Sequence, residues 1–271
     1  MARIKIKLAL IGANVGNSFS LDIHRFILDK WGYDCEYELI SVAVDEFPNA
    51  VRRLIGDFDG FNVTIPYKRE IMAYLDEIVG DAFEVGSVNT VVCDERKGYN
   101  TDGVGFSLAL ERAGVELLNK RVLVLGAGGA GRSVAKACKD KGAQVWAYRR
   151  DREKLKEFCL ELGVNECQGL ENAEFDIIVN ATGVGSKVDL GVSPIGDSAF
   201  EKAEWAIELA YNPSETEFLR LAKSKGANTL NGFAMLFFQA YYADCLYLKK
   251  TPSKREMDEL YKEWIYEIFN H

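Results

Sequence analysis

The chain has 271 residues, 48% of them hydrophobic and 27% charged, proportions that suit one large or two ordinary soluble domains. A net charge of −8 supplies no global basic field for nucleic acid. The opening "MARIKIKLALIGAN" has an apolar run of about six residues, shorter than a signal-peptide core and far below the ~20 residues of a membrane span. The six cysteines, at 35, 93, 138, 159, 167 and 245, form no C-x-x-C pair. They are expected as buried thiols of a cytoplasmic protein, with no disulfide frame and no metal site.

Taken in chain order, Ile4–Ile11 has a strand pattern, Leu21–Trp31 that of a helix stopped by Gly32, and Cys35–Val42 that of a β-branched strand. Glu46–Ile55 is expected as a helix, Gly60–Val63 as a short strand, and Tyr67–Tyr74 as a helix with Pro66 at its start. Val88–Cys93 and Gly98–Asn100 flank "DERK" as a hairpin. Such alternation predicts a mostly parallel sheet between helices, made mixed by the hairpin.

A second alternation begins at Lys120. Its strands are expected in "KRVLVL", "AQVWAY", "FDIIVNAT", "EWAIELAY" and "ANTL", with a helix over Thr216–Lys225. "GFAMLFFQAYYADCLYLKK" is apolar nearly all round, yet Gln239 and Asp244 interrupt it. It predicts a helix buried between layers rather than a membrane span. The fold class is therefore α/β. An N-terminal mixed-sheet domain over residues 1–103, completed by C-terminal helices over 231–271, accompanies a second domain over 104–230.

"VLVLGAGGAG" places Gly126, Gly128 and Gly131 in a G-x-G-x-x-G pattern between strand and helix. The first glycine permits the tight turn, the second lets backbone approach a pyrophosphate, and the third allows close helix–strand packing. With strand, helix and second strand in place, Gly126, Ala127, Gly128, Gly129, Ala130 and Gly131 predict a Rossmann-type dinucleotide turn. After the second strand comes "YRRDREK". The guanidinium groups of Arg149 and Arg150 match a ribose 2′-phosphate and favour NADP. Asp151 keeps NAD open, because a carboxylate there can accept the hydrogens of an unphosphorylated ribose.

A nicotinamide enzyme also needs a proton carrier. No tyrosine has a lysine four positions on, and the two histidines are His24, expected as a partly exposed helix residue, and the terminal His271. Attention therefore falls on Lys68 in "GFNVTIPYKRE". A lysine that exchanges protons near neutrality needs its pKa lowered from ~10.4, and burial or a helix N-terminus acts in that direction.

In order along the chain stand "NSFS" (Asn17–Ser20), "GFNVTIPYK" (Gly60–Lys68), "GSVNT" (Gly86–Thr90), "GYNTDGVG" (Gly98–Gly105), "GAGGAGR" (Gly126–Arg132), "NATGVG" (Asn180–Gly185), "YNPSETEFL" (Tyr211–Leu219) and "NGFAMLFFQA" (Asn231–Ala240). Together they resemble the shikimate dehydrogenase family over nearly the whole chain. The resemblance implies reversible NADPH-dependent reduction of 3-dehydroshikimate to shikimate, with Lys68 and Asp102 as the catalytic pair. It implies that Ser18 and Ser20 bind the substrate carboxylate together with Tyr211, and that Asn62, Thr64, Asn89 and Gln239 surround the ring hydroxyls and carboxylate. Ser20 is also expected to cap the helix from Leu21. Gly232 and Met235 match positions near the nicotinamide, and Leu209 a backbone contact to the cofactor. Thr182 is either a further cofactor contact or strand-end packing. Asn17 and Leu21 stand where the family pattern usually has histidine and proline.

Two other functions stay open at this stage. One is a quinate/shikimate dehydrogenase using NAD, prompted by "RRD", although the intact Ser-x-Ser pair favours shikimate. The other is a non-catalytic ligand-binding relative, disfavoured by the presence of both Lys68 and Asp102. No nucleic acid or membrane partner is expected, and the chain is expected as a monomer or homodimer.

Overall fold

The computed structural model describes residues 3–16, 18–170, 174–186 and 189–270, so Asn17 and His271 lie outside the described residues. The chain forms two compact units, Met1–Gly105 with Leu236–His271, and Phe106–Met235.

The first unit is built from β1 (Ile4–Gly12), α1 (Ser20–Lys30), β2 (Tyr33–Ser41), α2 (Phe47–Asp57), β3 (Gly60–Val63), β4 (Glu77–Ile78), α3 (Asp81–Val85), β5 (Thr90–Val92) and β6 (Lys97–Tyr99). Helix α4 (Asp102–Ala113) then carries the chain into the second unit. The sheet runs β2-β1-β3-β5-β6-β4, with β1 parallel to β2 and β3 and with β5 antiparallel to both β3 and β6. Two-residue periodicity in β1 sends Ala9 and Ile11 into the cluster around Phe47, Phe61 and Tyr67. Leu8 and Leu10 point into the opposite cluster with Leu28, Tyr37 and Tyr247. Both faces of the sheet are thus covered, as its apolar strands require.

The second unit contains β7 (Arg121–Leu125), α5 (Gly129–Asp140), β8 (Gln144–Tyr148), α6 (Arg152–Leu162), β9 (Asn165–Glu166), β10 (Ile177–Asn180), β11 (Trp205–Glu208), α7 (Glu217–Ser224) and β12 (Asn228–Leu230). Its sheet runs β12-β11-β10-β7-β8-β9 with every pairing parallel. Helix α8 (Phe233–Tyr247) leads back to the first unit, which α9 (Lys254–Asn270) completes. Phe237, Phe238, Ala240 and Tyr241 of α8 are fully buried. Among the described residues no helix is long and apolar enough to cross a membrane.

Three local expectations are corrected. Pro66 does not open an α-helix: the Ile65–Pro66 peptide is cis, residues 65–69 form turns, and only a five-residue 3-10 helix, Glu70–Tyr74, follows. Lys68 therefore sits in a turn, without an α-helix N-terminus beneath it. Ser20 is the first residue of α1, and no side chain caps that helix at the preceding Phe19. Finally, His24 is fully buried, because α1 faces α8 there and Asp244 supplies a partner, the His24 Nδ1 to Asp244 Oδ1 distance being 2.6 Å. Elements β4, α3 and β9, of two to five residues, are too short to show a period, and α6 was not assigned from its pattern.

The His24 ring stacks on Tyr37 with centroids 4.8 Å apart. Burial pushes the Asp244 carboxyl up, while the neighbouring His24 ring pulls it back down. Removing one partner of such a buried pair leaves the other unsatisfied, at roughly 3–5 kcal/mol. Asp244→Leu is expected to lower the urea midpoint by that equivalent, and the double variant His24→Leu/Asp244→Leu by clearly less. Equilibrium unfolding followed by far-UV circular dichroism checks both.

Candidate active site

The first unit gathers its polar residues where β3 ends and α4 begins. Gly12 makes room for this turn, since a Cβ there would lie 2.5 Å from Thr64 Cγ2. The Thr64 amide donates to Ile11 O at 2.9 Å, and the Tyr67 amide donates to Thr64 O at 3.0 Å. Beneath it, Tyr67 stacks on Phe47 at 4.0 Å and its hydroxyl donates to Val42 O at 2.6 Å. The Val88 amide donates to Lys68 O at 2.8 Å, tying the turn to the strand-to-hairpin segment.

From this anchored turn Lys68 extends to Asp102, with Nζ 2.5 Å from Oδ2 and side chains 12% and 8% exposed. Asp102 opens α4, and its amide donates to Asn100 Oδ1 at 3.0 Å. Its other carboxylate oxygen accepts from Asn89 Nδ2 at 2.9 Å. Asn89 is the hub of the cluster. Its Nδ2 also lies 3.0 Å from Thr101 Oγ1 and 3.2 Å from Gln239 Oε1, while its Oδ1 accepts the Thr101 amide at 2.9 Å. The lone amide of α8 thus finds its partners here, and Gln239 Nε2 donates back to Leu236 O at 3.0 Å.

Asn62 is 6% exposed and held from two sides. The Tyr37 hydroxyl donates to its Oδ1 at 2.9 Å, and its Nδ2 reaches Thr90 Oγ1 at 3.3 Å. Ser18 and Ser20 are brought together: the Ser18 hydroxyl donates to Ser20 Oγ at 3.0 Å, and the Ser20 amide donates to Ser18 Oγ at 3.2 Å. A cavity of about 230 Å³ in the same unit is lined by Val79, Tyr99, Thr101, Tyr242 and Lys250. It does not include Lys68 or Asp102.

In the second unit the glycine turn follows β7 as its pattern requires. Gly126 has φ +98°, and Cβ atoms at Gly126 and Gly131 would meet Ala181 O at 2.9 Å and Gly126 O at 2.4 Å. Gly128 precedes α5 in an extended conformation with open space on its side-chain position, leaving room for a ligand against the backbone. Ala127, Gly129 and Ala130 complete the turn and open the helix. Arg149 is half-buried and Arg150 exposed after β8. Asp151 is taken by α6, whose N-cap it forms by accepting the Lys154 amide at 3.2 Å. That bond and the Lys154 ammonium hold its carboxyl low.

Thr182 is exposed at the turn after β10, and its hydroxyl donates to Asn180 Oδ1 at 2.6 Å. The Leu209 amide donates to Asn180 O at 3.0 Å. A Cβ on Gly232 would lie 2.1 Å from Leu209 O, so this glycine permits a close backbone approach. Met235 is 8% exposed, and the Tyr211 ring lies 6.0 Å from Phe233.

Sequence reasoning missed Tyr37, Thr101, Asn180 and Glu208. Glu208 had a signal: it is a carboxylate inside the apolar strand "WAIELAY". It is 1% exposed, and burial pushes its carboxyl up to about 7 against hydrogen bonds from Ala210, Asn180, Thr216 and Leu209 that hold it down.

Residues 10–91 match the model of the shikimate dehydrogenase substrate binding domain, and residues 107–189 that of shikimate / quinate 5-dehydrogenase. Shikimate dehydrogenase (NADP(+)) of Thermus thermophilus is 35% identical, covering 94% of this chain and 97% of the relative. A crystal structure of the shikimate 5-dehydrogenase of Thermus thermophilus in complex with NADP(H) and shikimate superposes with a TM-score of 0.86 at 35% identity, covering 95% of this chain and 99% of that one. The shikimate 5-dehydrogenase of Listeria monocytogenes in complex with shikimate and NAD gives a TM-score of 0.80 at 27% identity, covering 96% and 98%. With coverage along both chains nearly complete, this protein belongs to the shikimate dehydrogenase family.

Proposed function

We propose that the chain is an NADP-dependent shikimate dehydrogenase that reversibly reduces 3-dehydroshikimate to shikimate, with Lys68 and Asp102 as its catalytic pair. The observation that carries this is the largely buried Lys68–Asp102 contact at 2.5 Å, joined through Asn89 to Gln239. The unit of Met1–Gly105 and Leu236–His271 is the substrate side, and that of Phe106–Met235 is the cofactor side.

Bound NADPH supplies the hydride. The reduced carbonyl then needs one proton at oxygen, and Lys68 Nζ carries it. Asp102 holds the ammonium in place with one carboxylate oxygen, while Asn89 fixes the other. A positioned proton donor of this kind contributes about 10²–10⁴-fold to rate. Ser18, Ser20 and Tyr211 supply hydroxyl donors for the substrate carboxylate. Asn62, Thr64, Asn89 and Gln239 present amides and a hydroxyl to the ring substituents, so that a ligand lacking those substituents leaves buried polar groups unpaired.

On the cofactor side, Gly126–Gly131 would cradle the pyrophosphate at the start of α5. Arg149 and Arg150 would hold the 2′-phosphate, and Thr182, Leu209, Gly232 and Met235 the nicotinamide end. Commitment of Asp151 to capping α6 supports NADP over NAD, since its carboxylate is occupied within the protein. The NAD-bound Listeria relative keeps NAD use as the second reading. The free cysteine thiols suit a reducing, cytoplasmic setting.

Turnover of shikimate and quinate with NADP and NAD, read at the nicotinamide band, tests this directly. The shikimate–NADP combination is expected to dominate; faster turnover of quinate or with NAD selects the second reading, and no turnover by folded protein overturns both. Lys68→Ala is expected to lower kcat about 10²–10⁴-fold with unchanged circular dichroism. Arg149→Ala/Arg150→Ala is expected to raise KM for NADP about 10–100-fold, the range for lost charge-assisted bonds, and to leave KM for NAD within about twofold.

A further inference from the structure

Glu208 ends β11, and its carboxylate is met by donors on both sides. Oε1 accepts the Ala210 amide at 3.0 Å. Oε2 accepts Asn180 Nδ2 at 2.7 Å and the Thr216 hydroxyl at 3.1 Å. The sense of these bonds is dictated from further out. Asn180 Oδ1 accepts both the amide and the hydroxyl of Thr182, at 3.1 and 2.6 Å. Flipping the Asn180 amide would set a donor against the Thr182 amide and give up the bond from Nδ2 to Val184 O at 3.1 Å, so its Nδ2 has to face Glu208. Thr182 Oγ1 in turn accepts the Val184 amide at 3.1 Å. A glutamine at 208 therefore sets a donor against a donor in either orientation, toward Asn180 or toward the Ala210 amide.

The two turns joined in this way are the ones that glycines approach closely. A Cβ on Gly126 would lie 3.1 Å from Thr182 Cγ2, and the Gly232 amide donates to Ala210 O at 3.1 Å. The carboxylate thus lies beneath the joint between the glycine turn's neighbour, 181–182, and the Gly232 segment's neighbour, 209–210. Strands β10 and β11 are parallel and adjacent, so both turns leave the sheet at its carboxyl edge, where α/β sheets bind dinucleotides.

We propose that Glu208 is a positioning residue for the nicotinamide cofactor: its carboxylate locks the turn after β10 to the turn after β11, giving Thr182 and the Leu209 backbone one fixed arrangement toward the dinucleotide. This inference rests on the cofactor assignment made under the proposed function.

The test is the affinity of the purified full chain for NADPH, titrated by NADPH fluorescence. Glu208→Gln is expected to weaken it about tenfold and to leave KM for shikimate within about twofold, a split that general loss of stability would not produce. The double variant Asn180→Asp/Glu208→Gln keeps the charge and reverses the donor, so the new amide at position 208 can donate to the new carboxylate at position 180. It gives up the bond from Asn180 Nδ2 to Val184 O at 3.1 Å, so it is expected to recover about half of the lost affinity on a logarithmic scale. Unchanged NADPH affinity in folded Glu208→Gln, or equal weakening toward NADPH and shikimate, overturns the proposal. Should Glu208→Gln not fold, Thr216→Val and Thr216→Ser decide: about threefold weaker NADPH binding for valine and none for serine is expected, and equal affinities overturn the proposal. Wild-type protein that binds NADPH but does not oxidise shikimate sinks the proposed reaction, while the same affinity comparison still decides the role of Glu208.

Discussion

An ammonium and a carboxylate held 2.5 Å apart with little water around them set the terms for the first unit. A buried ion pair is favourable only when its remaining donors and acceptors are satisfied and its geometry is fixed. Lys68 meets the second condition through its turn, which is tied to β1 by the Thr64 amide and to residue 88 by its own carbonyl. Asp102 meets the first through Asn89, and Asn89 is itself saturated by Thr101 and Gln239. Elements far apart in sequence therefore converge because a single charge pair has to be lined on every side.

Much of this was legible in advance, and the reasons are specific. Strands β3 and β7 showed as bounded apolar runs, and Gly126 and Gly131 had to be glycine because any Cβ would strike backbone within 3 Å. What escaped was pairing across long sequence distances. His24 looked like a partly exposed residue because nothing local in α1 reveals Asp244, 220 positions away. The helix expected from Pro66 failed for a local reason: residues 65–69 close turns of their own, and the first helical residue is Glu70. Ser20 likewise lost its expected cap because α1 starts one residue earlier than its pattern suggested, which puts Ser20 inside the first turn and Phe19 at the cap position.

Among the described residues three carboxylates, those of Asp102, Asp244 and Glu208, are buried and are met in three ways, with Asp244 Oδ2 left without a hydrogen-bond partner, and the choice follows what surrounds each. Asp102 faces a cation and an amide. Asp244 faces an imidazole within an aromatic packet of Tyr37 and Tyr247. Glu208 faces neutral amide and hydroxyl donors. An unpaired charge at any of these places would cost several kcal/mol, so each arrangement fixes the backbone segments that supply its partners. The acids behave as joints of the fold, and the segments they join are those that carry the candidate site.

Glu208 makes the energetic consequence explicit. With its carboxyl raised from 4.5 to about 7 in the folded chain, the native state binds this proton more tightly than the unfolded one. Stability is then greatest in this respect below the unfolded value and declines as pH rises through about 7, above which the ionised form carries its full desolvation cost. A leucine would pack there without that cost, but it could not accept from Asn180, Thr216 and Ala210 together, and the two turns would lose their common anchor. A residue retained against its own contribution to stability is what a positioning role predicts. Lys68 and Asp102 are likewise buried in a geometry that a hydrophobic pair could not supply.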